Sequence, residues 1–227
     1  MSRDLYAAVS GATAAWAQMD VAANNLANAN TTGFRGARTA FRVDGNGDGV
    51  QGKSTTQVTE VFTDRREGAI AQTNNPLDFA LSGQGYFALG DGTLTRDGRF
   101  SMDEQGRLLS SSGAPVLGEG GAIELDPTET LSVTSEGIIT GSVSGEIDRL
   151  RIVDSEVESV GGNRLCPVGT PIPSTAQVQQ GAVESSNVDT MGVMVELIEA
   201  GRHFEAFQKI IQASDDASAR LNRVGGS

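Results

Sequence analysis

The sequence predicts an α+β fold: N- and C-terminal α-helices pair as a coiled-coil-like helical domain, and a mainly antiparallel β-domain is inserted between them. Three observations predict it. An apolar seam with alternating spacings of four and three residues runs through the start of the chain, and a second runs through its end. The stretch between them is rich in Gly, Thr and Ser and in short β-prone runs. A period near 3.5 marks helices that bury one stripe, whereas short β-branched and aromatic runs separated by turn residues mark strands.

The N-terminal seam consists of Leu5, Val9, Ala12, Trp16, Met19, Ala23 and Leu26. Alanine fills much of the remainder, which favours helix and keeps it slim enough for close packing. The period fails at Asn28-Ala29-Asn30-Thr31-Thr32-Gly33, a cluster of turn formers ending in a glycine suited to a helix C-terminus. The C-terminal seam runs through Val193, Leu197, Ala200, Phe204, Phe207, Ile211, Ser214, Ser218 and Leu221. Ser186 and Asp189 resemble a capping box with a shorter acid, which predicts a helix start near Asn187. At 1.5 Å per residue the two helices would span about 40 and about 50 Å. Neither is apolar all round, so each needs a partner along its seam, from the same chain or from a neighbouring subunit.

In the middle, Phe79–Leu81, Tyr86–Leu89, Leu108–Leu109, Leu131–Val133, Gly137–Thr140 and Leu150–Val153 read as strands. Asp91-Gly92, Asp97-Gly98 and Gln105-Gly106 punctuate them at hairpin spacing. Residues 161–176, with Gly161-Gly162, Pro167, Pro171 and Pro173, read as a return linker. The expected organisation is an N-terminal helix over 1–35, an extended or hairpin connecting segment over 36–74, a β-domain over 75–180 and a C-terminal helix over 181–227.

Composition removes many functions. The chain has 227 residues, 17 Lys+Arg against 29 Asp+Glu, and a formal charge of -12. Such a balance argues against nucleic acid, whose binding draws on released counterions around a basic surface, and against anionic membranes. One cysteine and one histidine leave no intrachain disulfide and no Cys- or His-rich metal cluster. No run approaches the roughly 20 apolar residues that span a bilayer. Arg3 is offset by Asp4, and Gln18 and Asp20 interrupt what would be the apolar core of a signal peptide, so no cleaved signal is expected.

Two motifs invite a different reading. Gly47-Asp48-Gly49-Val50-Gln51-Gly52-Lys53-Ser54 matches the phosphate-binding pattern G-x-x-x-x-G-K-[ST], which would make the chain a nucleotide-binding protein. Its context argues against this. No buried strand precedes it, the following Thr55–Phe62 alternates like a strand rather than a helix, and Asp44 and Asp48 would repel a triphosphate. Asp44, Asn46, Asp48 and Gly49 also imitate a calcium loop, as in a calcium-binding surface protein. The position that should supply a bidentate carboxylate is Thr55. An acidic, glycine-rich loop tip accounts for the segment. His203 reads as a half-exposed helical residue and Cys166 as a small apolar residue of the linker. No catalytic residue, cofactor or metal is expected.

At Ala22-Ala23-Asn24-Asn25-Leu26-Ala27-Asn28-Ala29-Asn30-Thr31-Thr32-Gly33-Phe34-Arg35 the chain resembles the bacterial flagellar rod and hook protein family, whose N-terminal helix closes on A-N-N-[LI]-A-N-x-x-T-x-G-[FY]-[KR]. Asn24, Asn25, Asn28, Thr32, Gly33 and Phe34 carry the signature. Further resemblance lies in Asn75–Phe87 with Thr95–Phe100, and in Gly181–Asp189. Short length and a single small β-domain look most like the family's F-type, proximal-rod branch, with the G-type, distal-rod branch or a related hook-family axial protein as the alternative. The acidic Asp44–Gly49 stretch and Cys166 depart from the family pattern, both outside the seams. The resemblance implies a structural subunit that polymerises through its terminal helices, with other copies of itself and other flagellar rod proteins as partners. It also implies export through the flagellar type III apparatus to a rod in the periplasm, and a β-domain that faces outward. The expected assembly interface is Leu5, Val9, Ala12, Trp16, Met19, Ala23, Leu26, Val193, Leu197, Phe204, Phe207, Ile211 and Leu221.

Overall fold

The terminal seams form two helices, α1 (Arg3–Ala27) and α2 (Thr190–Gly225), which pack on one another. The computed structural model describes residues 3–45 and 54–225. By contact density the chain divides into two units: Met1–Ala27, Ala37–Phe62 and Asp189–Ser227 form one, and Asn28–Gly36 with Thr63–Val188 form the other.

In the helical unit, α1 ends at Ala27, where the apolar period gives way to Asn28. The strands β1 (Ala37–Gly45) and β2 (Ser54–Thr63) pair as a two-stranded ribbon, and β1 packs against α1. Phe41, Val61 and Phe62 stay exposed on the ribbon. Thr55–Phe62 is thus strand, as its alternation predicts, while Asn46–Lys53, which hold most of the phosphate-loop and calcium-loop imitations, lie outside the described residues.

Helix α2 starts three residues later than expected. Ser186 Oγ accepts the Val188 N–H at 3.3 Å, making a local turn instead of a capping box. Asp189 caps the helix, its Oδ1 accepting the Met191 N–H at 3.2 Å and its carbonyl accepting the Val193 N–H at 2.9 Å.

The second unit contains β3 (Ile70–Gln72), β4 (Phe79–Ser82), β5 (Tyr86–Ala88), β6 (Leu94–Thr95), β7 (Ser101–Met102), β8 (Leu108–Leu109), β9 (Leu131–Val133) and β10 (Ile138–Gly141). It continues with β11 (Gly145–Arg149), β12 (Ile152–Gly161), β13 (Arg164–Pro173), β14 (Gln177–Gln180) and β15 (Ala182–Glu184). Among the described residues the strand pairings of this unit are antiparallel. Strands β12, β13, β6 and β5 close a small barrel, and β11-β10-β9 form a three-stranded sheet. Phe79, Leu81, Phe87, Leu108, Val116 and Ile139 are among the residues of the main core, and Phe87 meets Phe100 edge to face at 5.1 Å.

Two sequence expectations fail in this unit. Residues 161–176 are not a linker, because they hold the whole of β13, which pairs with β12 along its length. Gly162 and Asn163 make the hairpin turn before it, and Gly161 and Gly162 both sit at positive φ. Pro167 and Pro173 are tolerated because β13 meets β6 only at Arg164 and Leu165, so beyond that point a missing N–H leaves no second ladder incomplete. Cys166, expected in that linker, is an exposed strand residue across from Glu158. Asp97-Gly98 is not a hairpin turn either, since β6 and β7 do not pair with each other. Asp97 is buried, and the Gly98 carbonyl accepts the Phe79 N–H at 2.9 Å in a crossing so close that a Cβ would strike the Phe79 carbonyl.

Candidate assembly surface and signature loop

Along α1 the buried apolar residues are Ala8, Ala12, Ala14, Ala15 and Ala22, and the facing helix contributes buried Val193 and Ala200. The inner stripe therefore runs Ala8, Ala12, Ala15, Met19, Ala22, Leu26, with Met19 and Leu26 half-buried. It shares Ala12, Met19 and Leu26 with the expected seam but takes alanines one position before Val9, Trp16 and Ala23. Small residues let the helices approach closely: a Cβ on Gly11 would strike the Phe207 ring. The larger residues beside this stripe stay outside, Tyr6 at 60%, Val9 at 47% and Trp16 at 55% exposure. Val9, Ala12, Thr13, Trp16, Phe204 and Ile211 line an open apolar trench of about 250 Å³.

On α2 the expected seam tracks the inward side, Val193 buried and Leu197, Phe204, Phe207 and Ile211 half-buried. Leu5 is half-buried and Ala23 exposed, while the Leu221 side chain lies outside the described residues. Met191, Met194, Val195 and Ile198 form a second, exposed apolar stripe on the first turns of α2, which reading a single seam overlooks. His203 is exposed on the same helix.

The signature residues divide between the units. Asn25, in the helical unit, is buried and holds Ala37 at both ends of its amide: Nδ2 donates to the Ala37 carbonyl and Oδ1 accepts the Ala37 N–H, each at 2.8 Å. The end of α1 is thereby stitched to the first residue of β1. Asn24 is exposed.

Within the other unit, the Asn28 carbonyl accepts the Thr31 N–H at 3.0 Å and its Oδ1 accepts the Thr31 hydroxyl at 3.2 Å, folding the chain into a tight turn. Thr32, Gly33, Phe34 and Arg35 are buried after it. Gly33 sits at φ +66°, its N–H donates to the Glu184 carbonyl at 2.7 Å, and a Cβ there would collide with the Arg96–Asp97 backbone. Only glycine meets both demands without strain.

Glu184 is the centre of this region. Its carboxylate pairs with Arg35 at 2.8 Å and with Arg96, and accepts the Gly68 N–H at 2.7 Å. All three charged side chains are almost wholly buried. Arg96 also donates to the carbonyls of Gly85, Leu81 and Gly83. Burial pushes the Arg35 guanidinium down from its ordinary value, and the Glu184 carboxylate opposes that shift. Asn187 completes the clasp: it accepts the Gly36 N–H at 2.8 Å and donates to the Asp64 and Arg66 carbonyls at 3.0 and 2.8 Å. Segments 28–36, 64–68 and 184–187 are thus bound into one knot. Sequence reading missed Arg96, Glu184 and Asn187 as partners of the signature. The available signal was a lone charge in a short apolar strand, Ala182-Val183-Glu184.

The buried ions are mutually paired, and among the described residues no group of three or more His, Cys, Asp or Glu side chains is placed to hold a metal.

The comparisons with known proteins agree with a structural role. Residues 5–35 match the family described as flagella basal body rod protein, residues 80–141 the flagellar hook protein FlgE/F/G D1 domain, and residues 179–224 the flagellar basal body rod FlgEFG protein C-terminal. The chain is 34% identical to the flagellar basal-body rod protein FlgF of Mesorhizobium japonicum, covering 100% of this chain and 99% of that one. It is 35% identical to FlgF of Caulobacter vibrioides over 98% and 96% of the two chains. Against the basal-body rod protein FlgG of Bacillus subtilis it is 31% identical over 97% and 98%. An alanine-faced helix pair, a signature loop locked by buried ions and full-length relatives of one kind lead to one conclusion: the chain belongs to the flagellar basal-body rod protein family, as an FlgF-like structural subunit.

Proposed function

We propose that the α1–α2 pair is the polymerising element of this rod subunit, and that neighbouring subunits cover the apolar surface the pair leaves open. The observation that carries this reading is the division of α1 into two stripes. Alanines face α2, while Tyr6, Val9 and Trp16 stay exposed, and Val9 and Trp16 rim the trench with Phe204 and Ile211. A monomer gains nothing from displaying its one tryptophan, whereas a helical polymer needs large apolar side chains at heterologous contacts. Copies of this chain and other rod proteins are the partners. Export through the flagellar type III apparatus brings the subunit to the rod in the periplasm, and the FlgF-like relatives favour the proximal segment.

The test is a motility and basal-body assay. Trp16→Ala and Phe204→Ala should give exported chains with an intact β-unit that fail to enter rods. Lys53→Ala, in the phosphate-loop imitation, should swim normally. Normal motility after the two aromatic changes, with loss after Lys53→Ala, overturns the reading.

A further inference from the structure

The hairpin turn between β12 and β13 grips the signature loop through Asn163. Its Nδ2 donates to the Thr32 carbonyl and, at 3.3 Å, to Asp97 Oδ2. Two acceptors on one side fix which end of the amide is nitrogen, so Oδ1 points the other way. That Oδ1 is buried and no protein group donates to it. The Nε of Arg35 is in the complementary position: Nη2 pairs with Glu184 and Nη1 donates to the Arg65 carbonyl at 3.3 Å, while Nε–H is buried with no protein acceptor. These two atoms are the buried side-chain polar atoms left without a protein partner among the described residues. Both residues line the same small cavity, of about 10 Å³, between the signature loop and the hairpin turn.

We propose that this cavity is a binding site for one structural water, which accepts the Arg35 Nε–H and donates to Asn163 Oδ1. The chemistry selects the occupant. A residue with an unpaired buried donor and one with an unpaired buried acceptor line one space, so an occupant that serves both must accept and donate. Chloride is repelled by the amide oxygen, and a cation is repelled by the guanidinium. The volume suits a single water, which needs roughly 10–15 Å³ and two to four polar partners. Buried polar atoms in native proteins are paired, through water where protein groups do not reach. Asn163 is then a positioning residue for the signature loop, holding Thr32 directly and Arg35 through the water. This inference rests on the β-unit alone and stands independently of how rods assemble.

The experiment is water-selective NMR on the full-length, 15N-labelled chain, read at the Arg35 Nε–H resonance and joined to a high-resolution crystal structure. The expected result is an Arg35 Hε–water cross-peak of opposite sign in the laboratory and rotating frames, the mark of a water held longer than about a nanosecond. The crystal should show a water within hydrogen-bond distance of both atoms. Asn163→Leu should abolish the cross-peak and speed solvent exchange of the Arg35 Hε by about tenfold or more. A direct Arg35–Asn163 hydrogen bond, a dry cavity, a chloride at the site or a cross-peak unchanged in Asn163→Leu each overturn the proposal. The first three are read on the unmodified chain, so the test survives a poorly folded variant.

Discussion

The helical unit and the β-unit bury their apolar residues in opposite ways. In the β-unit the largest side chains, Phe79, Phe87, Leu89 and Leu108, are almost wholly inside. In the helix pair alanine is inside, while Tyr6, Trp16, Met191 and Ile198 are outside. Burial stabilises by about 25 cal/mol per Å² of apolar area, so an alanine interface contributes little beside one of phenylalanine and leucine. The β-unit buries its largest apolar side chains within one chain, whereas the helix pair leaves Tyr6, Trp16, Met191 and Ile198 exposed on its surface.

That contrast can be broken or sharpened. Glu184→Ala should have the largest effect, leaving Arg35 and Arg96 buried together without a counter-charge. Breaking a buried pair in this way costs about 3–5 kcal/mol, so the urea midpoint of the β-unit should fall sharply. Phe87→Ala should cost a similar or slightly smaller amount through a cavity between Phe100 and the barrel strands, about 3–5 kcal/mol by the same measurement. A smaller loss, about 1–3 kcal/mol, is expected for Gly33→Ala, from positive φ and the clash with residues 96–97. Trp16→Ala should change the stability of the isolated chain by no more than about 0.5 kcal/mol, because the ring is half exposed, although the proposed assembly should fail. A large loss of monomer stability in that last variant would dissolve the distinction between the two units. Amide exchange should rank them the same way, faster through α1 and α2 than through β4, β5 and β8.

How much of this was legible beforehand follows from the range of the interactions. Helix periods are local, so α1 and α2, and the end of α1 at Ala27, were readable from spacing. So were β4, β5, β8, β9 and β10, as short β-prone runs between turn residues. Strand β13 was not, because Pro167, Pro171 and Pro173 read as linker until its open edge is seen. The inner face of α1 was read one position off at Val9 and Trp16, since apolar periodicity ranks large side chains above alanine. Close packing between two helices of one chain ranks them the other way. The signature residues were identifiable from the resemblance, but their partners Glu184, Arg96, Asn163 and Asn187 lie 60 to 160 positions away in sequence. Contacts at such separations leave no periodic trace.

The clasp around Glu184 also defines a load path. Helix α1 continues covalently into segment 28–36, and α2 is entered from segment 184–188. Those two legs are hydrogen-bonded to each other, Gly33 to Glu184 and Asn187 to Phe34, and share one carboxylate with Arg96. A pull or twist on either helix therefore reaches the β-unit through both legs at once. The bonds of the knot are strained in parallel and must yield together, so the junction resists as a rivet rather than opening like a zip.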